Sequence, residues 1–347
     1  MLAAKATALV VGDGTGPTPT TLDLTVHQLQ LSSSSSARPA RIRSGGEIAL
    51  VADHAGVAGC SGTSRGAYHL DASGATLSTY FENCRSPSVG VVGRDIGLSP
   101  NGTVAFSQIT DGLGAIYRGP AAGPVAILRS GTGTFYNTIS LDVSDSGRVA
   151  VEMEYFDGFA GGLMRGILLF DTPEQDKATI DTAIEKLGIG VQPPVAINAS
   201  GQVAFTLPAA ASFPIGGTTF TFGPGVYRAT PTLFNTPKAL TKIADDSGPY
   251  CRFGVVDIND SGTVVFEAAL DTGSHCTGST AGYDGIFAGP DPDADQVVVS
   301  GDSRLGAHQN FDTIHLGEIN NAGQVAFLTE LSASAVDPIA VWRWSPM

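Results

Sequence analysis

Two arginines and a histidine are the residues of this chain best suited to hold an anionic ligand, because guanidinium and imidazole groups bind carboxylates and sulfates through charge-assisted hydrogen bonds. Arg94 and His315 each stand five residues before a repeated turn, and Arg252 stands seven residues before another. This spacing predicts equivalent innermost strands facing one site. The alternative is that each is an ordinary surface or strand-end residue. The candidate ligand-binding residues are Arg94, Asn137, Gln192, Arg252, Asp312 and His315.

The same residues leave catalysis open as an alternative. A polysaccharide lyase needs a base beside a neutralised carboxylate, and His315 with Arg94 or Arg252 would supply both. A glycosidase needs a spaced carboxylate pair, and the glutamates that follow the turns have no shared geometry visible in the sequence. They are Glu152, Glu154, Glu267 and Glu330. The sequence has no GxSxG motif and no glycine-rich phosphate loop, so it favours a protein that is not an enzyme.

An acidic loop is the best local candidate for a metal site. Its carboxylates occupy positions one, three, five and twelve of a loop, as a calcium ion prefers. However, Gln296 stands where the turn glycine is expected, and Val299 stands at position nine in place of an oxygen ligand. The alternative is a solvated acidic turn between strands. The candidate ligands are Asp291, Asp293, Asp295 and Asp302, and calcium is the only cofactor that the sequence suggests.

The four cysteines predict two disulfide bonds in an oxidising compartment. Cys60 and Cys276 each follow their repeat glycine by 14 residues, so the pairs Cys60–Cys84 and Cys251–Cys276 would each close a long loop. Free buried thiols are the alternative. The spacing has no CxxC motif, which argues against a zinc site.

These candidates depend on a repeated turn, seen most clearly in the sequence INNAGQVAF at Ile319 to Phe327. Its asparagine can bond to the backbone two residues on, and its glycine can take the positive φ that closes a tight turn. Six copies, 45 to 61 residues apart by subtraction, align on Gly46, Gly102, Gly147, Gly201, Gly262 and Gly323. Repeats of strands at this spacing indicate an array of small sheets.

Each repeat contains up to four short strands, which is typical of a β-propeller blade. The fold prediction is therefore an all-β propeller, most simply of six four-stranded blades, although a divergent seventh blade stays open. Only one clear strand follows the last turn, so we expect the strand at Ala8 to Val11 to complete the final blade. The alternative is a frayed N-terminal tail.

Two insertions interrupt the repeats. The residues Leu207 to Phe222 predict a projecting hairpin or loop. The sequence Thr172-Pro173-Glu174 predicts the start of a short helix that continues towards Leu187, with Thr172 as N-cap. The alternative for this second segment is an ordinary outer strand.

Composition suits one domain spanning residues 1–347 of a compact all-β protein, expected to be a monomer. The chain is 42% hydrophobic and 15% charged, with 44 glycines and 20 prolines. A net charge of -14 argues against nucleic acid as a partner. No segment reaches the roughly 18 to 20 apolar residues of a membrane helix. The first eleven residues are too short for a secretion signal, so we expect any signal to be missing from this chain.

The repeated turn resembles the bacterial tandem repeat written NxxGxxAF and is similar to the related HAF-type extracellular repeats. Asn198, Asn259 and Asn320 keep the asparagine of that motif, whereas Ser99, Ser144 and Arg43 replace it. The resemblance implies a secreted, cell-surface or periplasmic repeat protein and supplies no catalytic residues. Together these features favour a non-catalytic propeller that binds a glycan or a surface protein at its channel rim. A carbohydrate-active enzyme on the same scaffold is the alternative.

Overall fold

The computed structural model of the chain is all-β over the residues that it describes. Those residues are 9–12, 17–20, 29–31, 40–42, 48–55, 63–70, 77–84, 91–99, 101–110, 113–120, 125–129, 137–157, 162–170, 185–187, 192–215, 218–230, 240–271, 282–308, 310–330 and 339–344. Within them the regular structure consists of β-strands and a short 3₁₀ helix, Ser303–His308. The all-β fold class is therefore confirmed.

The first strands in chain order are β1 (Leu9–Gly12), β2 (Pro17–Thr20), β3 (Leu29–Leu31), β4 (Ala40–Ile42), β5 (Ile48–Ala55), β6 (Thr63–Leu70), β7 (Leu77–Cys84), β8 (Val91–Leu98), β9 (Thr103–Thr110), β10 (Leu113–Pro120), β11 (Val125–Arg129), β12 (Asn137–Val143), β13 (Val149–Asp157), β14 (Gly162–Phe170), β15 (Glu185–Leu187) and β16 (Gln192–Ile197). The later strands are β17 (Val203–Leu207), β18 (Ala211–Ile215), β19 (Thr218–Phe222), β20 (Gly225–Ala229), β21 (Leu240–Asp245), β22 (Tyr250–Ile258), β23 (Val264–Leu270), β24 (Gly285–Phe287), β25 (Gln296–Val299), β26 (Thr313–Ile319), β27 (Val325–Glu330) and β28 (Ile339–Trp344).

The chain divides into two compact units. The first contains Met1–Ala4 and Asp23–Gly201, and the second contains Lys5–Leu22 and Gln202–Met347. In the first unit, two antiparallel four-stranded sheets follow chain order, one from β8 to β11 and the other from β12 to β15. A further sheet contains β3, β5, β6 and β7, and β4 also pairs with β5. The prediction of one domain spanning residues 1–347 stays a prediction.

The second unit repeats the same plan. Strands β22 to β25 form an antiparallel four-stranded sheet in chain order, and β26 to β28 form a three-stranded one. Strand β20 lies between β17 and β21, and both pairings are antiparallel. Four strands per repeat are thus confirmed where a complete sheet is described. Whether the sheets make six blades of a propeller stays a prediction.

The repeated turn has the conformation that its sequence predicts. Five of its glycines, Gly102, Gly147, Gly201, Gly262 and Gly323, have φ between 76° and 85°. The amide of each glycine donates to the carbonyl of the residue three positions before it, at 2.8 to 2.9 Å. A turn of this kind followed by a left-handed residue joins two antiparallel strands with a fixed register. Gly46 lies outside the described residues.

At Ser99, Ser144, Asn259 and Asn320, the side chain at the first position of the turn accepts from the backbone amide four residues later. The Oδ1 atom of Asn259 accepts from the amide of Thr263 at 2.9 Å. Where serine replaces asparagine, the serine hydroxyl accepts the equivalent hydrogen bond: Oγ of Ser144 accepts from the amide of Arg148 at 3.1 Å. The replacement therefore keeps the bond that closes the turn.

Arginines bond to the turn that follows them in the chain. In the first unit, the Arg118 guanidinium donates to the carbonyl of Gly147. In the second unit, Nη1 of Arg228 donates to the carbonyl of Gly262 at 2.6 Å. Each arginine lies on the third strand of its repeat. The same contact therefore joins the third strand of one repeat to the turn of the next.

The exit strands β9, β13, β17 and β23 are buried on both faces, as their alternation of apolar residues predicts. In β27 the face of Val325 and Phe327 is buried, but Ala326 and Leu328 on the other face are only half-buried, so the prediction is wrong for that face. All five residues of β17 are buried. The phenylalanine stacks on an aromatic residue of the next strand: the ring centroids of Phe106 and Tyr117 are 5.3 Å apart, and those of Phe205 and Tyr227 are 6.1 Å apart. These pairs form the core between the second and third strands of a sheet.

The predicted insertions have different outcomes. The projecting hairpin is confirmed, since β18 and β19 form a separate two-stranded sheet. The helix prediction is wrong at its C-terminal end, because Glu185–Leu187 is a strand that pairs with β14. Buried Ile167, Leu168 and Leu169 on β14 need a strand partner, and this tertiary pairing overrides the local helix pattern. Residues 171–184 lie outside the described residues.

The last sheet has three strands, as predicted, among the residues that the structure describes. Strand β1 lies beside β28 in the second unit. Its hydrogen-bonded partner is β2, so it is not joined to the sheet of β28. Closure of the last blade by the N-terminal strand therefore stays a prediction.

Substitution of the repeat glycine tests this account of the turn. We expect Gly262→Ala to lower the free energy of unfolding by about 1–2 kcal/mol from the left-handed backbone alone. A further loss follows because its methyl group would lie 2.6 Å from Nη1 of Arg228. Gly301→Ala is the matched control, with φ of 92° and open space around it. Gly248→Ala, without a positive φ, measures the background. Equal urea midpoints for Gly262→Ala and Gly248→Ala would contradict the account.

Candidate functional site

The six predicted ligand-binding residues lie on or next to the first strands of their sheets, divided between the two units. In the first unit, Arg94 lies within β8, and Asn137 and Gln192 begin β12 and β16. The structure does not describe their side chains. In the second unit, Arg252 lies in β22, His315 lies in β26 and Asp312 directly precedes β26. The second unit contains the candidate site.

Arg252 is held on an aromatic ring. Its Cζ atom lies 5.2 Å from the centroid of the Tyr283 ring, and its Nη2 atom donates to the carbonyl of Gly282. Arg252 is half-buried, and its Nε atom is buried without a hydrogen-bond partner among the described residues. A guanidinium stacked on a ring in this way loses less freedom when it binds a ligand.

A buried glutamate near this pair links the first strands of two sheets, β22 and β26. Glu267, on β23, is only 1% exposed. Its Oε2 atom accepts from the amide of Val255 at 3.1 Å, and its Oε1 atom accepts from the amide of Leu316 at 2.6 Å. Both amides lie where the register of their strand shifts and the ladder is interrupted. The carboxylate therefore takes over hydrogen bonds that the bulged strands cannot make to their neighbours.

The absence of a side chain at Gly254 leaves room for the ring of Tyr283. A Cβ atom at Gly254 would lie 2.5 Å from Oε2 of Glu267 and 2.5 Å from Cζ of Tyr283. Gly254 is five residues before its turn, the position that Arg94 and His315 have in their repeats. The ring of Tyr283 thus occupies the space that a side chain at Gly254 would take. Arg252, Tyr283 and Glu267 form one cluster. We call it the Arg252 cluster.

The other predicted residues of the second unit are not shown to join this cluster. His315 is half-buried and pairs in register with Leu328, which has the position that Glu267 has in the preceding repeat. Asp312 is exposed. The last repeat therefore does not copy the arrangement around Glu267.

Sequence reasoning missed two members of the Arg252 cluster. Tyr283 carries no motif that distinguishes it, and Glu267 was weighed only as a possible catalytic carboxylate. The available signal was positional. A polar residue five places after the repeat glycine recurs, and all four examples are buried: Ser107, Glu152, Thr206 and Glu267. Thr206 also serves the backbone, since its hydroxyl donates to the carbonyl of Gly254 at 2.9 Å.

Buried aspartates make a second set of links between the first strands of neighbouring sheets. In the first unit, Oδ2 of Asp142 accepts from the amide of Ile197 at 3.1 Å. In the second unit, Oδ2 of Asp257 accepts from the amide of Ile319 at 2.7 Å. Asp142 and Asp257 have the same position in their repeats, five residues before the glycine. These carboxylates are engaged by the backbone, so they are poor candidates for catalysis.

The acidic loop uses its carboxylates within the protein. The Oδ1 atom of Asp291 accepts from the amides of Asp293 and Ala294, and these backbone bonds lower the pKa of Asp291. Oδ2 of Asp295 accepts from the amide of Asp291. Asp302 pairs with Arg304 at 2.5 Å. Burial opposes ionisation of Asp302, but the bonds and charge of Arg304 outweigh it, and the pKa is lowered.

These bonds favour the acidic turn over the calcium site. Among the described residues, no group of three or more His, Cys, Asp or Glu side chains is arranged to hold a metal ion. The assignment of Asp291, Asp293, Asp295 and Asp302 to calcium stays a prediction.

The cysteine prediction is supported at one position. Cys251 is disulfide-bonded, and it directly precedes Arg252 on β22. Cys60 and Cys276 lie outside the described residues, and the side chain of Cys84 is not described. The pairing of Cys251 with Cys276, and of Cys60 with Cys84, stays a prediction.

Comparison with known proteins finds a partial match to one family, whose function is unknown. The model of a family of unknown function, DUF7453, matches residues 195–342, which is less than half of the chain. This match includes Gly201, Gly262 and Gly323 and the Arg252 cluster. No curated protein matches the chain. The likeness to NxxGxxAF repeats stays a prediction.

Several solved structures resemble the chain at low identity. The β-propeller domain of the Trilobed protease from Pyrococcus furiosus is 11% identical with a TM-score of 0.43, over 92% of this chain and 94% of that one. The acylaminoacyl peptidase of Pyrococcus horikoshii is 11% identical with a TM-score of 0.47, over 91% of this chain and 52% of that one. The gluconolactonase XC5397 from Xanthomonas campestris is 10% identical with a TM-score of 0.43, over 98% and 97%. This chain thus spans about half of the peptidase, and we draw no conclusion about activity from these likenesses.

In the part of the chain that the structure describes, no helix has the length and apolar character needed to cross a bilayer.

Replacement of Glu267 by glutamine tests its role as a backbone link. The amide keeps one acceptor oxygen but turns an N–H donor towards one of the two backbone amides, so we expect Glu267→Gln to lower the free energy of unfolding by about 1–3 kcal/mol. The control Asp271→Asn removes an exposed carboxylate near the end of the same strand and should cost less than about 0.5 kcal/mol. Chemical denaturation measures both, and equal small effects would refute the link.

Proposed function

We propose that this protein is an exported, non-catalytic repeat protein that binds a glycan or a surface protein through the innermost strands of a β-propeller. The observation that carries the proposal is Arg252. It is held on Tyr283 and bonded to Gly282, and it forms no ion pair with a described residue. A pre-positioned cation in a chain of net charge -14 is suited to recognise an anionic group.

The propeller part of the proposal is supported by the repeated sheets. Complete sheets are antiparallel and follow chain order, and the turns fix the register of their first two strands. Six motifs spaced along the chain agree with six blades. The position of β1 beside β28 supports closure of the last blade by the N-terminal strand.

Export is supported by the disulfide bond of Cys251, because disulfides persist in oxidising compartments such as the periplasm and the extracellular space. The repeat resemblance agrees with this assignment.

A polysaccharide screen tests the proposed function. Purified protein is passed over immobilised polygalacturonate, dextran sulfate and dextran, with and without calcium, while the ultraviolet absorbance of the eluate is followed. We expect retention on at least one polymer without an absorbing product. An unsaturated, absorbing product that disappears in His315→Ala would establish a lyase instead and overturn the non-catalytic proposal. Failure of all polymers to retain the protein would overturn glycan binding and favour a protein partner.

Truncation tests closure of the last blade. Deletion of residues 1–12 removes β1, and we expect the melting temperature to fall by about 4 °C or more, since a closing strand contributes of order a few kcal/mol. Deletion of residues 345–347 is the control and should leave the melting temperature unchanged. Equal melting temperatures for the two truncated proteins would show that the N-terminal segment is only a tail.

A further inference from the structure

Arg252 has hydrogen-bonding capacity that the described protein does not use. One N–H of Nη2 donates to the carbonyl of Gly282. This leaves the other N–H of Nη2 and both N–H groups of Nη1 for a ligand. A planar guanidinium with free N–H groups on both terminal nitrogens matches the two oxygens of a carboxylate through parallel bonds. A sulfate also presents two oxygens to this fork, so the comparison of a carboxylated with a sulfated polymer distinguishes the two ligands.

The surroundings of Arg252 hold it in place before any ligand arrives. The ring of Tyr283 lies under the guanidinium, and Tyr283 is itself confined by Gly254 and Glu267. The next residue, Asp284, is held by two hydrogen bonds. Its Oδ2 atom accepts from the amide of Leu270 at 2.8 Å, and its amide donates to the carbonyl of Ala268 at 2.9 Å. Binding at such a site costs little ordering of side chains.

The nearest carboxylate of the cluster does not compete for Arg252. Both oxygens of Glu267 accept from backbone amides, one on β22 and one on β26. The guanidinium therefore has no carboxylate partner among the described residues, and its charge is available to a ligand. Tyr283 is half-exposed, so part of its surface can pack against the C–H groups of a sugar ring.

We propose that Arg252 and Tyr283 form a subsite for the carboxylate of an acidic sugar, with the fork of Arg252 on the carboxylate and Tyr283 beside the sugar ring. The inference rests on the proposed function and narrows its ligand to a uronic-acid glycan. It also assigns the recognition to one repeat, the fifth.

The test is a calorimetric titration of the full chain with polygalacturonate and with the same polymer after reduction of its carboxyl groups. We expect binding of the acidic polymer only. Arg252→Gln should weaken it about tenfold or more, which is the usual loss for a charge-assisted pair of bonds. Arg252→Lys keeps the charge without the fork and should also weaken binding about tenfold. Arg304→Gln, which removes an arginine already paired with Asp302, is the control and should change binding less than twofold.

Each outcome decides between the two proposals. Equal binding of the reduced polymer, or a normal affinity for Arg252→Gln with an unchanged melting temperature, would overturn the carboxylate subsite and leave glycan binding intact. Dextran sulfate is titrated in the same way. Tighter binding of this polymer than of polygalacturonate would also overturn the carboxylate subsite, because the site would then prefer a sulfate. Absence of binding to every polymer would overturn glycan binding, and the subsite with it, and would favour a surface protein as the partner. If Arg252→Gln fails to fold, Arg252→Lys and a Tyr283→Leu variant give the same decision.

Discussion

The left-handed glycine that closes each repeated turn is the constraint on which the rest of the structure depends. A positive φ at this residue lets the chain reverse within a few residues, and the side chain at the start of the turn takes up the amide at its end. The turn then fixes the register of the two flanking strands where they leave it. Because register is fixed at the turn, residues at a given distance from the glycine have the same place in the described repeats as far as the first register shift. Buried links and candidate ligand-binding residues can therefore recur by position.

The first strands of two neighbouring sheets in the second unit are irregular, because their registers shift. Glu267 accepts from amides beside these shifts, and Asp257 accepts from the amide of Ile319. Both carboxylates are almost fully buried. A buried carboxylate is costly unless it is hydrogen-bonded, and a buried amide is costly when it is not. Each group thus removes the penalty of the other, and the strand that carries Arg252 is held in a shape that an unbroken ladder would not give.

The sequence predicted the parts of this structure that depend on local patterns. The turns follow from glycine spacing, the buried exit strands follow from the alternation around Phe205 and Phe266, and the projecting hairpin follows from its insertion. The strand at Glu185–Leu187 was missed because its partner on β14, and not its own composition, decides its conformation. The role of Tyr283 could not be predicted, because it depends on the missing side chain of Gly254 and on a loop end that returns to β22. Distances in sequence give no information about such a return.

The exchange of asparagine and serine at the first position of the turn has a consequence for the history of the repeats. Both side chains accept the closing amide, as Asn259 and Ser144 do. Their codons can be interconverted by a change of one base, so a copy of the repeat can move between the two residues in a single genetic step and keep its turn. Repeats of this kind lose their recognisable consensus faster than they lose their shape. Relatives that share the fold would then be expected among sequences in which the asparagine of the motif is no longer present.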